Sequence, residues 1–209
     1  MSIFGLRVFA SDTKEDTFWH WFQNNEARLY AVDKNQERTF DDLANALKKV
    51  NSDLTFEFGP VCTDGRREFI ISAGGLKRSF PSVEALYTAA PKMEKWIFVK
   101  FRPRRTPISD LVFSGKKIQA QDVHYLLFRD ENPEKVGIII FLDGYRKEQD
   151  AVFAQMGYLF LDEALGEYDV EMKVGAIEFQ GRDSKYFERA RPLAELPKDF
   201  DNYFKTQKK

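Results

Sequence analysis

Five carboxylates crowd one short stretch of the chain. Asp162, Glu163, Glu167, Asp169 and Glu171 fall within ten residues, with no Lys or Arg before Lys173. Carboxylates at such spacing can hold Mg²⁺ or divide the roles of general acid and base, so a metal-assisted hydrolase using residues 162–171 is one reading. The local context weakens it. The stretch covers the end of an expected helix, its cap and the start of a strand, and carboxylates at a helix C-terminus oppose the dipole and call for a cation. A metal would serve, and so would Lys173 or the arginines of a second charged segment. Glu163, Glu167, Tyr168 and Asp169 are the candidate binding residues here. The last three follow Gly166 on a turn held at both ends by regular structure, where loop residues are positioned well enough for function.

The second segment is basic. From Lys100 to Lys117 there are six Lys or Arg (100, 102, 104, 105, 116 and 117) against Asp110 alone. Arginine forks read phosphates well, so Arg102, Arg104 and Arg105 are candidates for RNA binding. Only Phe101 and Phe113 are at hand to stack bases, and no known nucleic-acid motif surrounds them. A solvated linker, or an ion-pair partner for the acidic stretch, is the simpler expectation.

The remaining reactive side chains are few. His20 lies between Trp19 and Trp21 and reads as a half-buried helix histidine; His124 shares a strand face with Leu126 and Phe128. Neither has a second His or Cys at metal-ligand spacing. Cys62 sits in a hairpin connection near Arg66 and Arg67, which could lower its pKa, but no base or helix N-terminus is at hand to activate it. GxGxxG, Walker A, GxSxG and HExxH patterns are all missing, so common nucleotide, hydrolase and zinc-protease mechanisms have no support and no cofactor is implied.

The elements that must position these residues are read from periodicity. Residues from Ser11 to about Val32 form a helix, capped by Ser11 or Asp12, with Phe18, Trp21, Phe22 and Leu29 near one face. Thr39 caps a second helix carrying Leu43, Ala46, Leu47 and Val50. Two segments of one plan follow, each strand–strand–helix–strand. The first pairs Leu54–Phe58 with Arg67–Ser72 across Asp64-Gly65, then runs through a helix from Ser82 to Ala89 and a strand from Lys95 to Phe101. The second uses Val123–Phe128 and Val136–Leu142, a long helix from Glu148 to Leu165 ended by Gly166, and a strand from Val170 to Phe179 with a bulge at Gly175.

The first three elements of each copy recur at an offset of about 66–69 residues, which predicts a structural duplication. The expected fold is α+β: a single domain over residues 1–209, with half 1 at about 38–101 and half 2 at about 122–179. A mixed or antiparallel sheet covered by helices joins them, plus two N-terminal helices. A Pro-broken crossover spans 102–121, with a short strand from Leu111–Phe113 or Lys117–Ile118, and a C-terminal extension covers 180–209. A closing helix is expected from Ala194 to Phe204, and Lys205–Lys209 is read as a frayed tail.

Composition sets the outer limits. Forty-three per cent of the 209 residues are apolar and 15% aromatic, enough for a sizeable core and too many for intrinsic disorder. Thirty-two basic against 33 acidic side chains give no bulk charge to drive the chain onto nucleic acid or an anionic membrane. A single cysteine excludes an intrachain disulfide. No apolar run approaches the roughly 20 residues of a membrane span, and Met1–Ala10 offers no signal-peptide pattern, so the expectation is a cytoplasmic protein.

Two stretches resemble segments of a group of uncharacterised bacterial hypothetical proteins of unknown function. They are Asp53-Leu-Thr-Phe-Glu-Phe-Gly-Pro with Arg67-Glu-Phe-Ile-Ile-Ser-Ala-Gly-Gly, and Leu161 to Gly175. The resemblance implies a bacterial cytoplasmic protein and transfers no catalytic residue. The expected function is therefore non-enzymatic binding or regulation through contacts with a protein partner, for which abundant aromatics are suited. A homodimer burying part of the sheet is one form of such contacts.

Overall fold

The computed structural model describes residues 11–32, 36–113 and 115–207, and these have an α+β fold. Met1–Ala10 and the last two lysines of the tail lie outside the described residues. The chain divides into two compact units: the described residues up to Ala73 with Arg78–Lys100, and Gly74–Lys77 with the chain from Phe101 onward.

The first unit opens with α1 (Lys14–Asn24) and α2 (Glu26–Tyr30). The cap of α1 is Thr13, rather than Ser11 or Asp12. Its hydroxyl accepts from the Asp16 N–H while the Asp16 carboxylate accepts from the Thr13 N–H, a reciprocal capping box. The single helix expected here is broken at Asn25, whose side-chain amide donates back to the Trp21 carbonyl. Thr39 proves to lie inside α3 (Gln36–Val50), wholly buried, because that helix starts earlier.

Three strands follow: β1 (Thr55–Val61) antiparallel to β2 (Arg67–Ser72), and β3 (Trp96–Lys100) parallel to β2 across α4 (Phe80–Thr88). Aromatic rings fasten α1 to this sheet. Phe22 lies 4.9 Å from Phe69 and 5.0 Å from Trp96, and Trp19 lies 4.6 Å from Phe98 while its indole N–H donates to the Leu86 carbonyl of α4. Phe18, Trp19, Phe22 and Phe69 are all at most 2% exposed, each burial contributing about 1.5–3 kcal/mol.

The second unit begins with the crossover and a hairpin, β4 (Leu111–Phe113) with β5 (Lys116–Ile118), so both expected short strands form and pair with each other. Its main sheet holds β6 (His124–Arg129), β7 (Val136–Phe141), β8 (Val174–Gln180) and β9 (Arg191–Pro192) in the order β8-β7-β6-β9. Between β7 and β8 come α5 (Asp150–Leu165) and α6 (Glu167–Lys173), and α7 (Leu196–Gln207) follows β9. Strand β7 is buried on both faces, as its unbroken apolar run requires. One face packs Ile138 and Ile140 against Phe153, Met156 and Phe160 of α5 and Phe200 of α7. Tyr125 is fixed in this core by donating its hydroxyl to Asp199, which Arg191 also grips.

β3 and β7 belong to different sheets, which corrects the expected joint sheet. Helices α1 and α4 pack on the first sheet and α5 and α7 on one face of the second, and the prolines of the crossover leave no strand to continue the first sheet. The connectivity of the two main sheets is nevertheless alike. The pair Thr55↔Ser72 in β1–β2 has its counterpart in His124↔Phe141 in β6–β7, each partner 69 residues on (55 to 124, 72 to 141). A parallel third strand follows in both. The bulge at Gly175 appears as a register slip between β7 and β8, with Val136 opposite Val174 but Ile138 opposite Ile177.

Candidate functional site

The acidic stretch and the basic crossover meet. Helix α5 ends at Leu165 because Gly166 takes φ +80°, a conformation that L side chains rarely adopt. A Cβ at Gly166 would stand 3.2 Å from the Arg102 carbonyl and 3.4 Å from the Arg104 N–H, since the crossover backbone passes directly over it. Glu167, Tyr168 and Asp169 are not on a turn but in the first turn of α6, which corrects the strand expected from Val170. Val170 faces the core at 3% exposure, and the alternation of Val170, Met172 and Val174 spans a helix end and a strand start.

Glu167 is the centre of the arrangement. It is wholly buried, one carboxylate oxygen accepting the Gly75 N–H at 3.0 Å and the other the Arg102 N–H at 3.1 Å. Its own N–H donates to the Arg102 carbonyl at 3.0 Å. The Arg102 guanidinium reaches back to Asp162 at 3.2 Å. Arg104 donates its Nε–H to the Leu165 carbonyl at 2.9 Å and pairs with Asp169 at 2.7 Å and with Asp201 of α7 at 3.0 Å. Lys173 takes the other oxygen of Asp169, also at 2.7 Å. The Arg105 N–H donates to the Glu163 carbonyl and the Ser109 N–H to the Glu163 carboxylate, both at 2.7 Å. Tyr168, at 46% exposure, lays its ring 5.4 Å from that of Phe101.

All seven residues singled out in the sequence therefore meet in one strap. Residues 101–109 lie along the end of α5 and the start of α6. They satisfy carbonyls that a helix C-terminus leaves without partners and supply the cations that its carboxylates call for. The electrostatics carry the mark of burial. The Asp162 carboxyl is pushed up to about 7, first by burial and then by Glu167 and Glu171, with Arg102 pulling the other way. Glu171 is raised for the same leading reason, whereas Asp201 is lowered by its hydrogen bond from Arg104.

Chemically, this arrangement clamps backbone to backbone. Among the described residues no three of His, Cys, Asp and Glu group so as to hold a metal ion. Of the RNA candidates Arg102, Arg104 and Arg105, the first two rest their guanidinium groups on carboxylates of the same unit. His20 is exposed rather than half-buried, 3.5 Å from Asp12, and His124 packs edge-on to Phe187. Three participants lay beyond the sequence reading: the Gly75 amide, Ser109 and Asp201. Of the three, only the Gly74-Gly75 pair carries a local sequence signal, that of a turn with positive φ. Comparison of the chain with protein-family models, with curated proteins and with solved structures finds no match.

Proposed function

We propose that this protein works through protein–protein contacts rather than by catalysis, and that the outer edge of β8 with the aromatic residues beside it is the contact surface. The observation that supports this reading is the character of that edge. Among the described residues β8 ends its sheet; it runs for seven residues and contains neither Pro nor Lys. Two of the other edges are blunted. β1 carries Pro60 where its register slips, and β9 is two residues long and contains Pro192. β8 has its bulge at Gly175 and one charge at Glu178, and the rest of the strand, free of proline and lysine, is a template for another chain.

Its outward-facing groups can be named. The Leu142 N–H donates to the Gln180 carbonyl at 2.9 Å. The N–H and C=O of a strand residue point the same way and alternate along the strand, so those of Ile177 and Phe179 point outward. Tyr158 of α5 stands at 45% exposure with its ring 5.3 Å from that of Phe179, an amphipathic side chain of the kind that anchors interfaces.

Amine-reactive cross-linking in cells, read by peptide mass spectrometry, tests the reading, because Lys173 and Lys185 flank β8. The expected result is a set of links from these lysines to another polypeptide chain. Links confined to the same chain would count against it.

A further inference from the structure

We infer that a cavity of about 340 Å³ in the second unit, beneath the arch of the crossover between Arg105 and Ser109, binds a small molecule with an apolar body and one anionic end. The site does not depend on the reading of β8 as a contact edge.

The arch follows from its anchors. The Arg105 N–H donates to the Glu163 carbonyl and the Ser109 N–H to the Glu163 carboxylate. With both ends tied to one residue of α5, the three residues between them must loop away from it, and Thr106 and Pro107 stand exposed at the crest. Ala120 and Gln121 form a second wall, and the segment from Pro192 to Pro197 a third. These walls are held from behind. Leu193 is 1% exposed and donates its N–H to the Val123 carbonyl at 3.0 Å, while the Ala120 N–H donates to the Asp110 carboxylate at 3.0 Å. Pro107, Pro192 and Pro197 fix φ at three points of the lining, so the cavity exists before a ligand arrives and little ordering accompanies binding.

Size and lining select the ligand. The volume falls in the range of small-molecule pockets. A single turn of helix, about 10 Å across and about 5.4 Å long, already exceeds it. The proline rings, Ile108, Leu193 and Ala194 present apolar surface, and the three prolines have no N–H to offer. A polar body would give up its hydrogen bonds to water there, whereas an apolar one is favoured by the area it buries. Arg105 is the one charged residue among the described residues lining the cavity. A cationic end group therefore finds no carboxylate in that lining, and a carboxylate or sulfonate finds a guanidinium.

Two fluorescent probes test the inference on the whole chain. Anilinonaphthalene sulfonate carries an anionic end, and phenylnaphthylamine is the same aromatic body without it. Each should bind the folded protein saturably at one site, the sulfonate more tightly. Ala194→Trp fills the cavity from one wall and Gln121→Trp from another. Both residues are exposed, and circular-dichroism melts identify the variants that fold. A folded tryptophan variant should lose both probes. Arg105→Gln should weaken the sulfonate about tenfold and leave the neutral probe unchanged.

Absence of saturable binding, or binding that survives in a folded tryptophan variant, overturns the cavity as a site. An Arg105→Gln variant in which the two probes respond alike overturns the anionic class of ligand.

Discussion

Removing the charges of Glu167 and Asp169 together separates a structural clamp from an acidic cluster kept for a ligand. In Glu167→Gln the side chain retains one acceptor oxygen but turns an NH₂ toward the second of its two backbone donors, Gly75 or Arg102. A buried N–H then loses its partner and faces another donor, at a cost of about 1–3 kcal/mol. Asp169 is 21% exposed at its side chain and paired with both Arg104 and Lys173, so Asp169→Asn adds about 1 kcal/mol after allowing for solvent.

The double variant should therefore be less stable by about 2–4 kcal/mol, a fall in Tm on the order of 10 °C. All three tryptophans lie in the first unit, so unfolding should be followed by far-UV circular dichroism, in heat and in urea. An unchanged or higher midpoint would refute the clamp, because a repulsive cluster held for a ligand gains stability when it is neutralised.

Asp162 sets a pH dependence of definite sign. Its carboxyl titrates near 7 in the folded chain and near the ordinary carboxylate value when unfolded, so between about pH 4 and 7 the unfolded chain releases a proton that the fold retains. Stability should fall as pH rises through that window, by up to about 4 kcal/mol, and level off above it. In Asp162→Asn this component should vanish, measured as the wild-type-minus-variant difference in urea unfolding at pH 4.5 and 7.5. Gly166→Ala forces a side chain into φ +80° and against the Arg102 carbonyl, and should cost about 1–3 kcal/mol in the same assay. Tyr125→Phe removes the donor to Asp199 but leaves Arg191 in place, so a loss of only about 1–2 kcal/mol is expected by thermal melting.

Local signals placed most elements, and long-range ones were out of reach. The run at 136–142 was legible as a strand covered on both faces because nothing polar interrupts it, whereas the similar run at 96–99 forms β3, an edge strand among the described residues, in which only Trp96 is buried. Gly166 was legible as a helix stop, and Gly175 as a bulge. The dipole argument at the end of α5 pointed to the crossover arginines because an acidic helix end without cations is physically incomplete.

What failed had local causes. Thr39 has the right chemistry for a cap but stands one turn inside a helix. The alternation at Val170, Met172 and Val174 fits a strand equally well when a seven-residue helix ends within it. The Gly75 amide and Asp201 join the clamp from 92 and 97 residues away in the chain, from Glu167 and Arg104 respectively, and no periodicity reports such a meeting.

Calorimetric titration of the folded protein with Mg²⁺, Mn²⁺ and Ca²⁺ tests most directly whether residues 162–171 are a clamp. With Glu167 on two backbone amides and Asp162 and Asp169 on arginines, no saturable heat should appear at millimolar metal. A one-to-one isotherm that disappears in the Glu167→Gln, Asp169→Asn double variant would contradict the account and restore the carboxylates as a metal site.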